Sequence, residues 1–167
     1  MIKLRVFLIT FIVISILSSC DNKQIFDTYQ TVDDIWNKDE KINFTLPVLD
    51  STQTYNLFIN VRNNNAYKYS NIFLISEMKF PNGKVVTDTL EYVMATPEGE
   101  WLGSGFSDLK ENKLWYKENM RFIEKGNYTI SLQHAMRKNG KVDGVSSLEG
   151  ITDIGFRIEN AQILKKD

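Results

Sequence analysis

The chain has 167 residues, with 20 Lys and Arg against 21 Asp and Glu, one histidine and one cysteine. A net charge of −1 offers nucleic acid no basic field, and a lone cysteine excludes an internal disulfide or a thiolate-rich zinc site. The length suits one ordinary domain, and ten Phe, seven Tyr and three Trp supply bulky side chains for its core.

Lys3 and Arg5 open the chain, an apolar stretch runs from Val6 to Leu17, and Leu17-Ser18-Ser19-Cys20 follows. A basic start, a short apolar centre and small residues before a cut describe a secretory signal. A cysteine immediately after the cut narrows this to a bacterial lipoprotein signal. Its thiolate accepts a diacylglyceryl group, and Ser18 and Ser19 fit the peptidase that cleaves before it. A spanning helix would need about 20 apolar residues, where this stretch has roughly a dozen. Residues 1–19 are therefore expected to be removed and Cys20 to be lipidated, each buried CH₂ contributing about 0.8 kcal/mol to membrane attachment. Loss of Lys3 and Arg5 leaves 18 basic against 21 acidic residues, near −3. Residues 20–24 then form a lipidated N-terminus with a short polar spacer, and 25–167 form the folded domain.

Beyond the spacer the chain reads as strands and turns. Ile42, Phe44, Leu46 and Val48 alternate with polar neighbours, as do Tyr55, Leu57, Ile59 and Val61. Asp50-Ser51-Thr52 makes a turn between them, and Asn63-Asn64-Asn65 ends the second strand. Asn82-Gly83 suits a two-residue type I′ turn and predicts an antiparallel hairpin of 71–80 with 84–95. Pro97-Glu98-Gly99 closes that strand, and 99–112 is irregular. Residues 114–122 fit a strand, although 110–118 alone would make a tolerable helix. Gly126-Asn127 is a turn, 128–136 alternates again, Asn139-Gly140 is a second Asn-Gly turn, and Ile154, Phe156 and Ile158 mark the last strand. Seven to nine short strands predict an all-β, antiparallel β-sandwich, jelly-roll or immunoglobulin-like, in a single domain; a barrel is the alternative.

Chemistry-bearing patterns are sparse. His134 lies in the alternation of Leu132 and Met136 and reads as a hydrogen-bonded structural residue. Ser104, in Gly103-Ser104-Gly105, lacks the spacing of a nucleophile elbow. Glu98 and Glu100 sit in a Pro/Gly turn and read as solvated rather than as a glycosidase pair. No catalytic residue, metal site or cofactor is assigned, and no enzymatic activity is expected. Trp101, among glycines, has two readings. It either plugs one end of the sandwich, with Leu102 and Phe106 turned inward beside it, or serves as a partner-binding loop residue.

Several segments together resemble the GldH family of gliding-motility lipoproteins. They are Asn71-Ile72-Phe73-Leu74, Phe80-Pro81, Asp88-Thr89-Leu90-Glu91-Tyr92 and Gly99-Glu100-Trp101-Leu102-Gly103-Ser104-Gly105. Leu114-Trp115-Tyr116, Gly126-Asn127-Tyr128, His134-Ala135-Met136-Arg137 and Gly150-Ile151-Thr152-Asp153-Ile154-Gly155 continue the likeness. The resemblance implies a cell-envelope lipoprotein needed for gliding, on the periplasmic side of the outer membrane, near the motility and type IX secretion machinery. It brings no catalytic residues. The expected action is assembly or scaffolding, with acyl chains in the membrane and other envelope lipoproteins or motility and secretion proteins as partners. The alternative is glycan binding through loop aromatics such as Trp101 and Trp115.

Cys20→Ser should leave the precursor uncut by the lipoprotein signal peptidase. Intact-mass analysis of the mature wild-type protein should show acyl chains on Cys20; a mature protein without them would refute the lipidation.

Overall fold

Alternation of apolar and polar side chains builds most of the elements. The structure, a computed structural model, describes residues 23–138 and 140–161. The strands are β1 (Gln24–Thr31), β2 (Ile35–Asn37), β3 (Ile42–Thr45), β4 (Tyr55–Asn63) and β5 (Asn71–Lys79). They continue with β6 (Val85–Val93), β7 (Lys110–Met120), β8 (Thr129–His134), β9 (Ser147–Glu149) and β10 (Ile151–Asn160). In β5, Ile72, Leu74, Ser76 and Met78 are buried while their neighbours are half-buried or exposed, the two-residue period of a half-covered strand.

Pairing follows a simple nesting. β5 pairs with β6, β4 with β7, β3 with β8, β2 with β9 and β1 with β10, all antiparallel. The chain is thus one long hairpin folded at residues 80–84. Two further pairings, β10 with β4 and β5 with β8, wind that hairpin into sheets of order β1-β10-β4-β7 and β3-β8-β5-β6. This is jelly-roll topology, so of the two expected sandwich architectures the strand order selects the jelly roll.

The inward faces share one core, with Phe44 of β3 stacked on Phe156 of β10 at 6.1 Å. Polar side chains tie the sheet margins together. At one margin Tyr116 Oη and Lys117 Nζ donate to Asp88 at 2.9 and 2.8 Å, joining β7 to β6. Burial opposes the charge on Asp88, but these two donors prevail and hold its carboxyl below the ordinary range. At the other margin Gln30 Nε2 of β1 donates to the Asn43 carbonyl of β3.

Several expectations change. Residues 110–120 are strand throughout, which resolves the helix-or-strand ambiguity. β1, β2 and β9 were not anticipated: β2 and β9 are three residues each, and β1 has no fully buried position. The hairpin stands, but its turn is not a two-residue type I′. Gly83 has φ +88° whereas Asn82 is not left-handed. Gly83 N–H donates to the Phe80 carbonyl at 3.0 Å and Phe80 N–H to the Lys84 carbonyl at 2.8 Å, giving a three-residue loop with Gly83 in the bulge position. Asn82 contributes its side chain instead, Oδ1 accepting from Lys84 N–H and Nδ2 donating to Glu124. Of the second Asn-Gly turn, Asn139 lies outside the described residues; Lys141 N–H bonds the Lys138 carbonyl across it.

Gly83 has open space where a Cβ would sit, so Gly83→Val should cost only the left-handed backbone penalty, about 1–2 kcal/mol. Gly150→Ala should cost more, because at φ +81° its Cβ would lie 2.1 Å from Tyr67 N and 2.6 Å from Ala66 C. Urea midpoints of the two variants decide the order, and equal losses would contradict this assignment.

Candidate functional site

The sandwich has two unlike ends. At the base the chain enters β1, with the Lys23 carbonyl accepting from Asn160 N–H at 2.9 Å and Ala161 N–H bonding the Thr54 carbonyl at 2.9 Å. Loops 46–54, 80–84 and 121–128 share that end. The opposite end, the crown, carries the β2–β9 pair and loops 64–70, 94–109 and 135–146.

Trp101 stands in the crown. A bridge to Ala95, Leu102 N–H on the Met94 carbonyl at 2.9 Å, and a reciprocal pair between Ser104 and Glu111 at 2.9 and 2.7 Å fix the loop's stem. The indole packs against Tyr67 with ring centres 6.0 Å apart, and its Nε1 donates to Asn65 Oδ1 at 3.3 Å. Asn65 Nδ2 then donates to Asp108 Oδ1 at 2.8 Å, so one amide clamps both halves of the loop. Trp101 therefore turns inward, partly buried on the core.

Its expected companions do not. Phe106 is 98% exposed and Leu102 57% exposed, which corrects the expectation that both turn inward. The cause is backbone geometry: Gly105 at φ +149° and Ser107 at φ +55° reverse the chain on either side of Phe106. A Cβ on Gly105 would lie 2.3 Å from the Leu109 carbonyl oxygen, so the reversal needs glycine.

The other singled-out residues fall apart in space. Glu98 and Glu100 are exposed on the turn before Trp101, and Ser104 is exposed on the loop. His134 is buried in the core, its ring 5.3 Å from Trp36 and its Nε2 3.0 Å from the Trp36 carbonyl. Among the described residues no group of His, Cys, Asp or Glu is placed to hold a metal ion. Cys20 lies outside the described residues.

Trp115 is on strand β7, not on a loop as the glycan reading supposed. It lies on the outer face of its sheet, 51% exposed, with its ring 4.4 Å from Phe58. Lys113 Nζ sits 4.1 Å over the other part of this patch, the Phe58 ring. The same face continues as a laced polar layer. Arg62 pairs with Glu111 at 2.9 Å and stacks over Tyr29 at 3.9 Å. Tyr29 Oη donates to Glu111, and Arg157 bridges Asp27 and Glu159 at 2.6 Å each. Burial, then the bond to Glu111, pushes the Tyr29 phenol far up, so it remains a donor. Sequence reasoning missed this layer because its charges are scattered through the chain. The available signal was β4, where Phe58, Asn60 and Arg62 interleave with the core residues Leu57, Ile59 and Val61.

A protein-family model described as GldH lipoprotein matches residues 24–158. The gliding motility lipoprotein GldH homolog of Christiangramia forsetii is 60% identical over 156 residues, covering 93% of this chain and 95% of that protein. The gliding motility lipoprotein GldH of Flavobacterium johnsoniae is 53% identical over 144 residues, covering 86% and 89%. Among solved structures, the infectious bursal disease virus VP2 subviral particle aligns at a TM-score of 0.37 and 14% identity over 84% of this chain. The Gx strain of that virus aligns at 0.32 and 8% over 86%. This chain spans 34% of the length of each viral chain.

Burial lowers the His134 imidazole below its ordinary 6.5, outweighing the Trp36 carbonyl and Asp39, which favour the charged form. The unfolded chain thus binds this proton more readily than the folded one. The stability contributed by neutral His134 is complete above about pH 6.5 and is lost as pH falls below it. Asp88 and Glu159, both held low, add their own loss only at more acidic pH. The urea midpoint should fall between about pH 7.5 and 5.5, and His134→Gln should flatten that slope; an unchanged slope in the variant would refute the assignment.

Proposed function

The chain belongs to the GldH lipoprotein family, and from that premise we propose that it is a lipid-anchored, non-catalytic assembly component of the gliding apparatus. Residues 1–19 act as the signal, Cys20 carries the acyl chains, 20–24 form the spacer, and the jelly roll stands on the periplasmic side of the outer membrane. Its partners are other envelope lipoproteins or proteins of the motility and type IX secretion machinery. The observation that carries this reading is Phe106. An aromatic ring 98% exposed on a loop clamped by Asn65 and the Ser104–Glu111 pair is a preorganised anchor. It also stands at the crown, the end away from the tether. Trp101 positions this partner-binding loop from behind, and Phe106 and Leu102 make the contact.

The glycan reading has one observation in its favour. Trp115 is an exposed ring backed by the buried Phe58, beside Asn56, Lys113 and Glu118, groups able to bind hydroxyls. It predicts loss of polysaccharide binding in Trp115→Ala with protein partners retained.

Affinity purification of the lipidated protein from its native envelope tests the leading reading. Phe106→Ser should leave the melting temperature unchanged and weaken association with envelope proteins by about tenfold or more. Trp101→Ala should lower the melting temperature, because it removes core contacts as well as the Asn65 bond. Full retention of partners by Phe106→Ser would overturn the loop's role.

A further inference from the structure

The base carries its own exposed apolar residues, and they lie where the tether must bring them. Val48, at the tip of loop 46–54, is 84% exposed, and Ile123, in loop 121–128, is 72% exposed. The two loops line one shallow groove with Leu49, Phe122 and Tyr128 at its floor. β1 begins at this same end, with Lys23 bonded to Asn160 and Thr54 bonded to Ala161. From Cys20 to Lys23 are three Cα–Cα steps, which span at most about 11 Å however the residues are arranged. An acylated Cys20 therefore keeps Lys23, where the chain enters the base, within about 11 Å of the lipid-bearing residue.

The tips are held outward. Asp50 accepts from Thr52 N–H and Oγ1 at 2.9 and 2.7 Å and from Gln53 at 3.2 Å. Tyr128 Oη accepts from Glu124 N–H at 3.1 Å, and Glu124 in turn takes Asn82 Nδ2 at 2.8 Å. Behind them Tyr55, Phe122, Tyr128 and Phe80 meet edge to face in series, with ring centres 5.9, 4.8 and 5.2 Å apart. These rings fill the space between the sheets behind the two tips. The acids nearest the tips, Asp50 and Glu124, are engaged by these donors, while Arg121 and Lys125 point to solvent.

We propose that this base is a membrane-resting face, with Val48 and Ile123 seated in the boundary between headgroups and acyl chains. The inference rests on lipidation at Cys20 and adds the orientation: base on the bilayer, crown and Phe106 away from it. Apolar burial drives the contact, and the mixed charges around it make it independent of anionic lipid.

Cys20 is the only cysteine, so once it is acylated a cysteine placed elsewhere is a unique thiol. Val48→Cys, Ile123→Cys and Phe106→Cys, purified as lipidated full-length protein, are labelled with an environment-sensitive fluorophore. Each is reconstituted in phosphatidylcholine–phosphatidylethanolamine vesicles carrying a nitroxide high on the acyl chain. Labels at 48 and 123 should shift to the blue and lose intensity to the nitroxide, while the label at 106 keeps the emission of water. Adding Ile123→Asp should restore a water-like signal at 48. Hydrogen exchange on the unsubstituted protein supplies a label-free measure: the amides of residues 48–49 and 122–124 should slow on vesicles relative to detergent. Intact mass and flotation separate the two readings. Protein lacking acyl chains refutes the anchor and this orientation with it. Protein that is acylated and floats, yet keeps 48 and 123 in water, refutes the orientation alone. Mutual quenching between labels at 123 without nitroxide quenching would assign the face to a second copy and overturn the proposal.

Discussion

The turn at Phe80–Lys84 is the pivot on which the architecture depends. Because strand pairing is nested about it, each inner pair shortens the chain that the next outer pair must close. The innermost pair is β5 with β6, in continuous register from Lys79–Val85 to Asn71–Val93. The outermost brings Gln24 beside Glu159, across most of the chain. Loop-closure entropy rises with separation, so the local hairpin is the natural nucleus and the β1–β10 closure the costliest step. Gly83 supplies the left-handed residue that this fold-back point requires.

Winding that hairpin leaves two open ends, and aromatic residues close both. At the base, four rings meet edge to face in series between the sheets. At the crown, Trp36 is fully buried beneath the β2–β9 pair, with His134 against its ring and Tyr67 between Tyr69 and Trp101. With the ends and margins sealed, the core holds without any disulfide. What remains on the surface is therefore informative. Polar layers on the sheet faces are bonded within themselves, whereas the apolar tips at the two ends have neighbours only behind them.

The parts of this fold that were legible in the sequence are those governed by short-range alternation. β5 and β8 carry a buried residue at every second position, and β6 a half-buried one at the same spacing. β4 and β10 carry an alternating core stripe, of Leu57, Ile59 and Val61 and of Ile154, Phe156 and Ile158, while Asn82-Gly83 marks the pivot between β5 and β6. The strand order was not legible, because pairings such as Trp36 with Leu148 join residues whose local sequences say nothing of one another. β1 hid for a related reason: as an edge strand it has polar residues on both faces and no buried period. The crown loop was half legible. Trp101 among glycines pointed to a special position, and it does pack inward. The outward turn of Phe106 depends on positive φ at Ser107, a non-glycine residue with no signature of that geometry, and on the unusual angle at Gly105.

The position of β1 has a mechanical consequence. β1 runs from base to crown as an edge strand, and its lower end continues into the segment bearing Cys20. A load applied between a partner at the crown and an anchor at the base acts along the axis of β1, so the strand is sheared past β10 instead of being peeled from it. In shear, the hydrogen bonds from Phe26–Ile158 to Thr31–Asp153 share the force at the same moment, whereas peeling would break them one by one. The Arg157–Asp27 pair and the Gln24 contact to Arg157 lie across that same seam and take part of the load. The strand whose pairing spans the greatest length of chain is thus the one arranged to bear tension along its length.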